Sequence, residues 1–158
     1  MVKSICHSNT ICEHWNWASN ISYNNIGDFK IEVTKHGFTH VDAPSHMIND
    51  GKSLSDCQLD LLCGWAKIID VSECIGDKPI TEQTLKDKIK YIEEGDIVIL
   101  KSNLNDLYPN TSDQYWKNSP FLEDSGSNLL VSKKIKSLVF DFPQDRAAKD
   151  LQFRVVMN

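Results

Sequence analysis

The chain has 158 residues, one domain's worth, and enough length to bury a core. Its 41% hydrophobic and 25% charged residues are those of a soluble globular protein, and 22 acidic against 17 basic residues (net charge −5) argue against a nucleic-acid partner. No apolar run reaches signal-peptide length at the N-terminus or eighteen residues anywhere, which predicts a soluble, cytoplasmic protein with no membrane partner.

Residues 1–28 read as polar and irregular. Trp15 and Trp17 flank Asn16 there, and two tryptophans on a loop suit either the wall of a pocket for a planar ring or the cover of a core edge. His7 and His14 have no carboxylate at metal-ligand spacing and read as non-ligands. Cys6, Cys12, Cys57, Cys63 and Cys74 are odd in number and form no C-x-x-C pair, so reduced thiols are expected rather than a disulfide framework or a zinc ribbon. From Phe29 to Thr34 apolar and polar residues alternate, which predicts a half-buried strand.

That strand delivers the chain to His36-Gly37-Phe38-Thr39-His40-Val41-Asp42-Ala43-Pro44-Ser45-His46. Three of the five histidines lie in this window, with an aspartate between the last two and no lysine or arginine after His36. Imidazole nitrogen and carboxylate oxygen are the ligands that zinc and similar divalent ions prefer. His36, His40 and Asp42 share parity, so a flat strand would set them on one face, about 7 Å apart or more, too far for one ion. The segment must bend, and Gly37 and Ala43-Pro44 are where it can.

Asn49-Asp50-Gly51-Lys52-Ser53 is turn chemistry, Leu54 to Leu62 a short connection, and Trp65 to Val71 a strand. Pro79-Ile80-Thr81 is read as opening a helix capped by Thr81, with Leu85, Ile89 and Ile92 on its apolar face and Gly95 at its end. Asp96 to Lys101 follows as a buried strand, and a helix between two strands implies a βαβ crossover and an α/β fold. Residues 103–128 are rich in Asn, Asp, Ser and Pro and read as a long loop, a lid or an oligomer contact. Leu129 to Ile135 is expected to be a short helix with the solvated basic end Lys133-Lys134-Ile135-Lys136, and Ser137 to Phe140 a strand. No repeat or linker divides the chain, so residues 1–158 are taken as one domain.

The eleven-residue window resembles the signature H-x-G-T-H-x-D-x-P-x-H of the cyclase family of metal-dependent hydrolases, which includes kynurenine formamidases and isatin hydrolases. The ligand positions match; the departure is Phe38 in place of the family glycine, with glycine at Gly37 instead. The order of turn, short connection and apolar strand ending in Asp70-Val71-Ser72, and the later Asp141-Phe142-Pro143-Gln144-Asp145 turn, extend the likeness.

The resemblance implies an α/β single domain with a mixed central sheet, of the swivelling β/β/α kind. It implies one or two divalent ions, Zn or Mn, held by His36, His40 and Asp42, and proton transfer by His46. Trp15, Trp17 and Phe38 are the pocket candidates. The implied reaction is hydrolysis of an aryl formamide such as N-formylkynurenine, or of a cyclic amide. Family members continue beyond the Asp141 strand to a further histidine and glutamate, whereas here no histidine follows His46 and the sequence stops at Val155-Val156-Met157-Asn158. The family's C-terminal part is therefore read as missing, and an impaired or non-catalytic metal- or ligand-binding homologue, acting as an assembly partner, is the alternative. The apolar ending predicts a homodimer or larger homo-oligomer.

Overall fold

A computed structural model describes residues 39–143, together with the backbone of 20–23 and 29–32. The first two strands, β1 (Asn20–Tyr23) and β2 (Phe29–Glu32), pair antiparallel with Asn20 opposite Glu32 and Tyr23 opposite Phe29. The expected strand is present, but part of the stretch read as irregular is its partner. A strand's backbone groups need a ladder, and the neighbouring stretch Asn20–Tyr23 supplies it.

The chain then forms β3 (Ala66–Asp70), β4 (Pro79–Ile80), α1 (Glu82–Leu85), β5 (Ile97–Lys101), α2 (Leu104–Leu107), α3 (Asp113–Lys117), β6 (Phe121–Leu122), α4 (Asp124–Ser132) and β7 (Ser137–Phe140). The central sheet has the order β3-β5-β7 and both pairings are parallel, with Ile68 beside Ile99 and Ile99 beside Val139. This is the crossover arrangement that strand-helix-strand alternation predicts. A small parallel pair, β4 with β6, lies apart from it.

Strand alternation gives the sheet two unlike faces. Ile69 and Val71, then Val98, Leu100 and Ser102, point into the core, where they meet Leu85, Ile89, Leu104 and Leu130. On the opposite face the lowest row, Ala66, Ile97 and Ser137, lies beside the segment 61–64: the Ser137 hydroxyl donates to the Leu61 carbonyl and the Lys136 ammonium donates to the Cys63 carbonyl. The middle row, Ile68, Ile99 and Val139, stays open, with Ile68 57% and Val139 43% exposed.

Thr81 caps α1 as expected: its hydroxyl accepts from the Thr84 amide at 3.3 Å, and the Thr84 hydroxyl accepts from the Thr81 amide at 3.3 Å. Leu85, Ile89 and Ile92 are all buried, but the helix expected to carry them to Gly95 ends at Leu85, and Ile89 and Ile92 belong to the turns that follow it. Pro79-Ile80, expected to open the helix, instead forms β4, because Ile80 is buried on the core and proline is tolerated as a strand's first residue.

The larger correction concerns residues 103–128. They are not a free loop: Leu104 of α2, Tyr115 of α3 and Leu122 of β6 are buried in the core, and α4 begins at Asp124, ahead of the expected Leu129. Elements of two to five residues are too short to display a hydrophobic period, so only their caps show in the sequence, as where Ser112 accepts from the Tyr115 amide at 3.2 Å. Helix α4 packs closely enough that a Cβ on Gly126 would collide with the Ile80 carbonyl.

One carboxylate joins the ends of β5 and β7. Asp141 Oδ1 accepts from the Ser102 amide at 2.7 Å and the Ser102 hydroxyl at 2.8 Å, and Oδ2 accepts from the Asn103 amide at 2.9 Å. Ser102 is fully buried and passes the connection on, its hydroxyl accepting from the Leu104 amide at 3.1 Å. These bonds hold Asn103 in the left-handed conformation (φ 61°) that starts α2. Beneath them the Tyr115 phenol is pushed up to about 12, by burial first and by the Asp141 carboxylate second. Asp141→Ala strands these donors and is expected to cost about 2–4 kcal/mol, a thermal midpoint lower by roughly 5–12 °C, measured by calorimetry against Asp141→Asn as the milder variant.

Candidate metal centre

The histidine-rich window enters the described region at Thr39. Residues 40–43 run without a ladder, and Ala43 (φ −79°, ψ 155°) is extended, as a residue before proline is obliged to be. Pro44–His46 then makes a single 3-10 turn with proline at its first position. The His46 amide donates to the Ala43 carbonyl at 2.9 Å and the Ile48 amide to the Pro44 carbonyl at 2.9 Å. The bend expected at Ala43-Pro44 is therefore present.

The turn is closed from behind by the residues that follow it. The Ser45 amide donates to the Lys52 carbonyl at 3.1 Å and the Gly51 amide to the Ile48 carbonyl at 3.0 Å. Gly51 lies so close that an added Cβ would sit 2.7 Å from the Pro44 carbonyl carbon, inside any real contact distance. A second local closure follows, in which the Ser53 hydroxyl and amide both donate to Asp56 Oδ2, at 2.5 and 3.1 Å. These bonds hold the Asp56 carboxyl below its usual range. Gly51 was legible in the sequence only as turn chemistry; that it abuts the motif's own backbone required the structure.

His40 Nε2 lies 3.7 Å from Asp42 Oδ1, with side chains 31% and 53% exposed. Two donors at about 2.0–2.1 Å from a tetrahedral ion stand roughly 3.3–3.4 Å apart, so the pair fits a shared ion with a few tenths of an ångström of adjustment. The spacing of a flat strand is overcome because the imidazole and the carboxylate turn toward one another off an irregular backbone. His46 is exposed at the end of the 3-10 turn.

Among the described residues no group of three His, Cys, Asp or Glu side chains is gathered for a metal. His36, the third expected ligand, and the pocket candidates Trp15, Trp17 and Phe38 lie outside the described residues, as do His7 and His14. Among the described residues the donor set is one imidazole and one carboxylate facing each other. Its chemistry suits a borderline divalent cation.

A sequence profile of the Cyclase family matches residues 4–144. The kynurenine formamidase of Bacillus anthracis is 31% identical over 108 residues, which are 67% of this chain and 49% of that protein. The kynurenine formamidase of Bacillus mycoides (strain KBAB4) is 45% identical over 58 residues, 35% of this chain and 27% of its own length. The matched part of the chain thus spans about half, or less, of these curated relatives. Among solved structures, a potential metal-dependent hydrolase with cyclase activity overlays with a TM-score of 0.65 at 23% identity, over 79% of this chain and 57% of that one. Isatin hydrolase A from Labrenzia aggregata, bound to benzyl benzoate, overlays with a TM-score of 0.64 at 17% identity, with the same coverage. At these identities the overlays establish a common fold.

The close approach of Gly51 to the motif yields a direct test. Gly51→Ala is expected to displace the Pro44–His46 turn at a cost of about 1–3 kcal/mol, read as a lower thermal midpoint together with shifted His46 ring resonances in NMR spectra.

Proposed function

The chain belongs to the Cyclase family, and we propose that it carries the metal-binding segment of a hydrolase that cleaves an amide C–N bond with activated water. The observation that carries this reading is the facing pair of His40 Nε2 and Asp42 Oδ1, 3.7 Å apart, immediately ahead of the proline-led turn that bears His46. The names of the kynurenine formamidase relatives agree with it.

In this proposal His36, His40 and Asp42 would hold a divalent ion, Zn or Mn, and a second such ion could be bound beside it. Such an ion supplies Lewis acidity, lowering the pKa of a coordinated water from about 16 toward about 7. His40 and Asp42 set the donor geometry. His46 takes a proton from the attacking water on an imidazole nitrogen and returns it to the departing amide nitrogen, a task suited to a ring whose nitrogens can both accept and donate a proton. Trp15, Trp17 and Phe38 supply flat apolar walls for an aromatic substrate. The substrate class is an aryl formamide of the N-formylkynurenine type or a cyclic amide.

The proposal extends to a cytoplasmic location and a homodimer or larger homo-oligomer, in keeping with the free thiols Cys57, Cys63 and Cys74 and with the exposure of Leu59. No helix among the described residues is long and apolar enough to cross a membrane. The alternative, a non-catalytic metal- or ligand-binding homologue acting as an assembly partner, is favoured by one observation: only two donors are brought together among the described residues.

Metal content separates these readings. Dialysis against chelator followed by elemental analysis is expected to leave about one ion or more on the parent chain. His40→Ala and Asp42→Ala should each lose it while keeping the parent's circular dichroism. His46→Ala is expected to keep its metal and lose turnover of an aryl formamide by roughly 10²–10⁴-fold. Loss of metal in that variant would make His46 a ligand instead, and a metal-bearing parent chain that hydrolyses no amide would select the binding homologue.

A further inference from the structure

Strand β3 is an edge strand among the described residues, paired with β5 alone. Its composition makes that edge hazardous. Trp65-Ala66-Lys67-Ile68-Ile69-Asp70-Val71 is apolar, β-branched and free of glycine and proline, and Lys67 and Asp70 cancel in charge. Trp65 is 87% and Ile68 57% exposed.

The direction of its backbone groups follows from the ladder. The Ile97 amide donates to the Trp65 carbonyl and the Val71 amide to the Lys101 carbonyl, so the odd-numbered residues of β3 address β5. The carbonyls of Ala66, Ile68 and Asp70 therefore point away from the sheet. Two of these outward acceptors are taken by side chains from the turns that follow α1. The Tyr91 hydroxyl donates to the Ile68 carbonyl at 3.0 Å, and the Lys88 ammonium donates to the Asp70 carbonyl at 2.6 Å while pairing with Glu73. Buried Ile89 and Ile92 anchor this stretch, so both donors are delivered from a fixed backbone.

We infer that Lys88 and Tyr91 form an edge guard, which closes β3 to pairing with the β3 of a second copy of this chain. An unguarded β3 can meet its own copy antiparallel about a two-fold axis at Ile68, with Ala66 opposite Asp70, because the same outward groups then face each other. The guard occupies the Ile68 and Asp70 carbonyls that such pairing needs and sets a charge and a polar ring over the strand. Natural edge strands are commonly blunted in this way. Any assembly of the parent chain must then use another surface.

The test compares the full-length parent with Lys88→Ala/Tyr91→Phe, by sedimentation velocity over a wide concentration range and by amide hydrogen exchange. The variant is expected to gain a concentration-dependent species larger than the parent's own, with exchange at Ala66, Ile68 and Asp70 slowed about tenfold or more as that species forms. A variant that sediments as the parent does overturns the inference, and so does a larger species without slowed exchange at those three amides. If the double variant does not fold, Tyr91→Phe alone removes one donor and keeps the ring. It is expected to show the same species at higher concentration, and its absence is equally decisive.

Discussion

The Asp141 carboxylate is the point on which the upper end of the sheet depends. It collects three donors from Ser102 and Asn103 across a separation of 38 to 39 residues, and so couples the last strand to the turn that launches α2. Without a partner, the amides at the end of β5 would be stranded where Ser102 allows no water. Parallel strands need such ties, because each strand ends in a connection that must leave in the right direction. Here a single side chain both ends β7 and aims α2, and the core residue Leu104 follows from that aim.

The candidate metal centre is organised on a different scale. Its geometry arises within about a dozen residues: an extended approach, a proline-led turn, and a glycine that lets the chain fold back against that turn. Local encoding of this kind suits a ligand site, since His40 and Asp42 lie two residues apart on the stretch that leads into the turn. The core supplies rigidity to the rest of the chain. The stretch that places the chain in the Cyclase family, residues 4–144, includes this donor pair.

Between these two scales lies the treatment of the sheet's exposed parts. One face is buried by α1, α2 and α4; on the other, among the described residues, the segment between Leu61 and Gly64 lies beside the lowest row. Among the described residues the edge at β3 meets side chains rather than a further strand. The polar groups of this domain therefore do two jobs. Some tie strands together from within, and others stop the sheet from growing.

Much of this was legible in the residues alone. The histidine window, the bend at Ala43-Pro44, the Thr81 cap, the buried faces of Leu85, Ile89 and Ile92, and the strands 66–70, 97–101 and 137–140 depend on side-chain type and on neighbours a few positions away. Partners were not legible, whether a few residues away (β1 for β2, Gly51 for the motif turn) or across long separations (β6 for β4, Asp141 for Ser102). Nor was the burial of Leu104, Tyr115 and Leu122, because their elements are shorter than the period that would reveal them. The sequence by itself determined which residues are able to bind a metal, cap a helix or line a strand, since those are properties of the side chain and its nearest neighbours. Only the tertiary structure decided what each strand end and each outward carbonyl would meet, since a backbone group carries the same donor and acceptor whatever its residue.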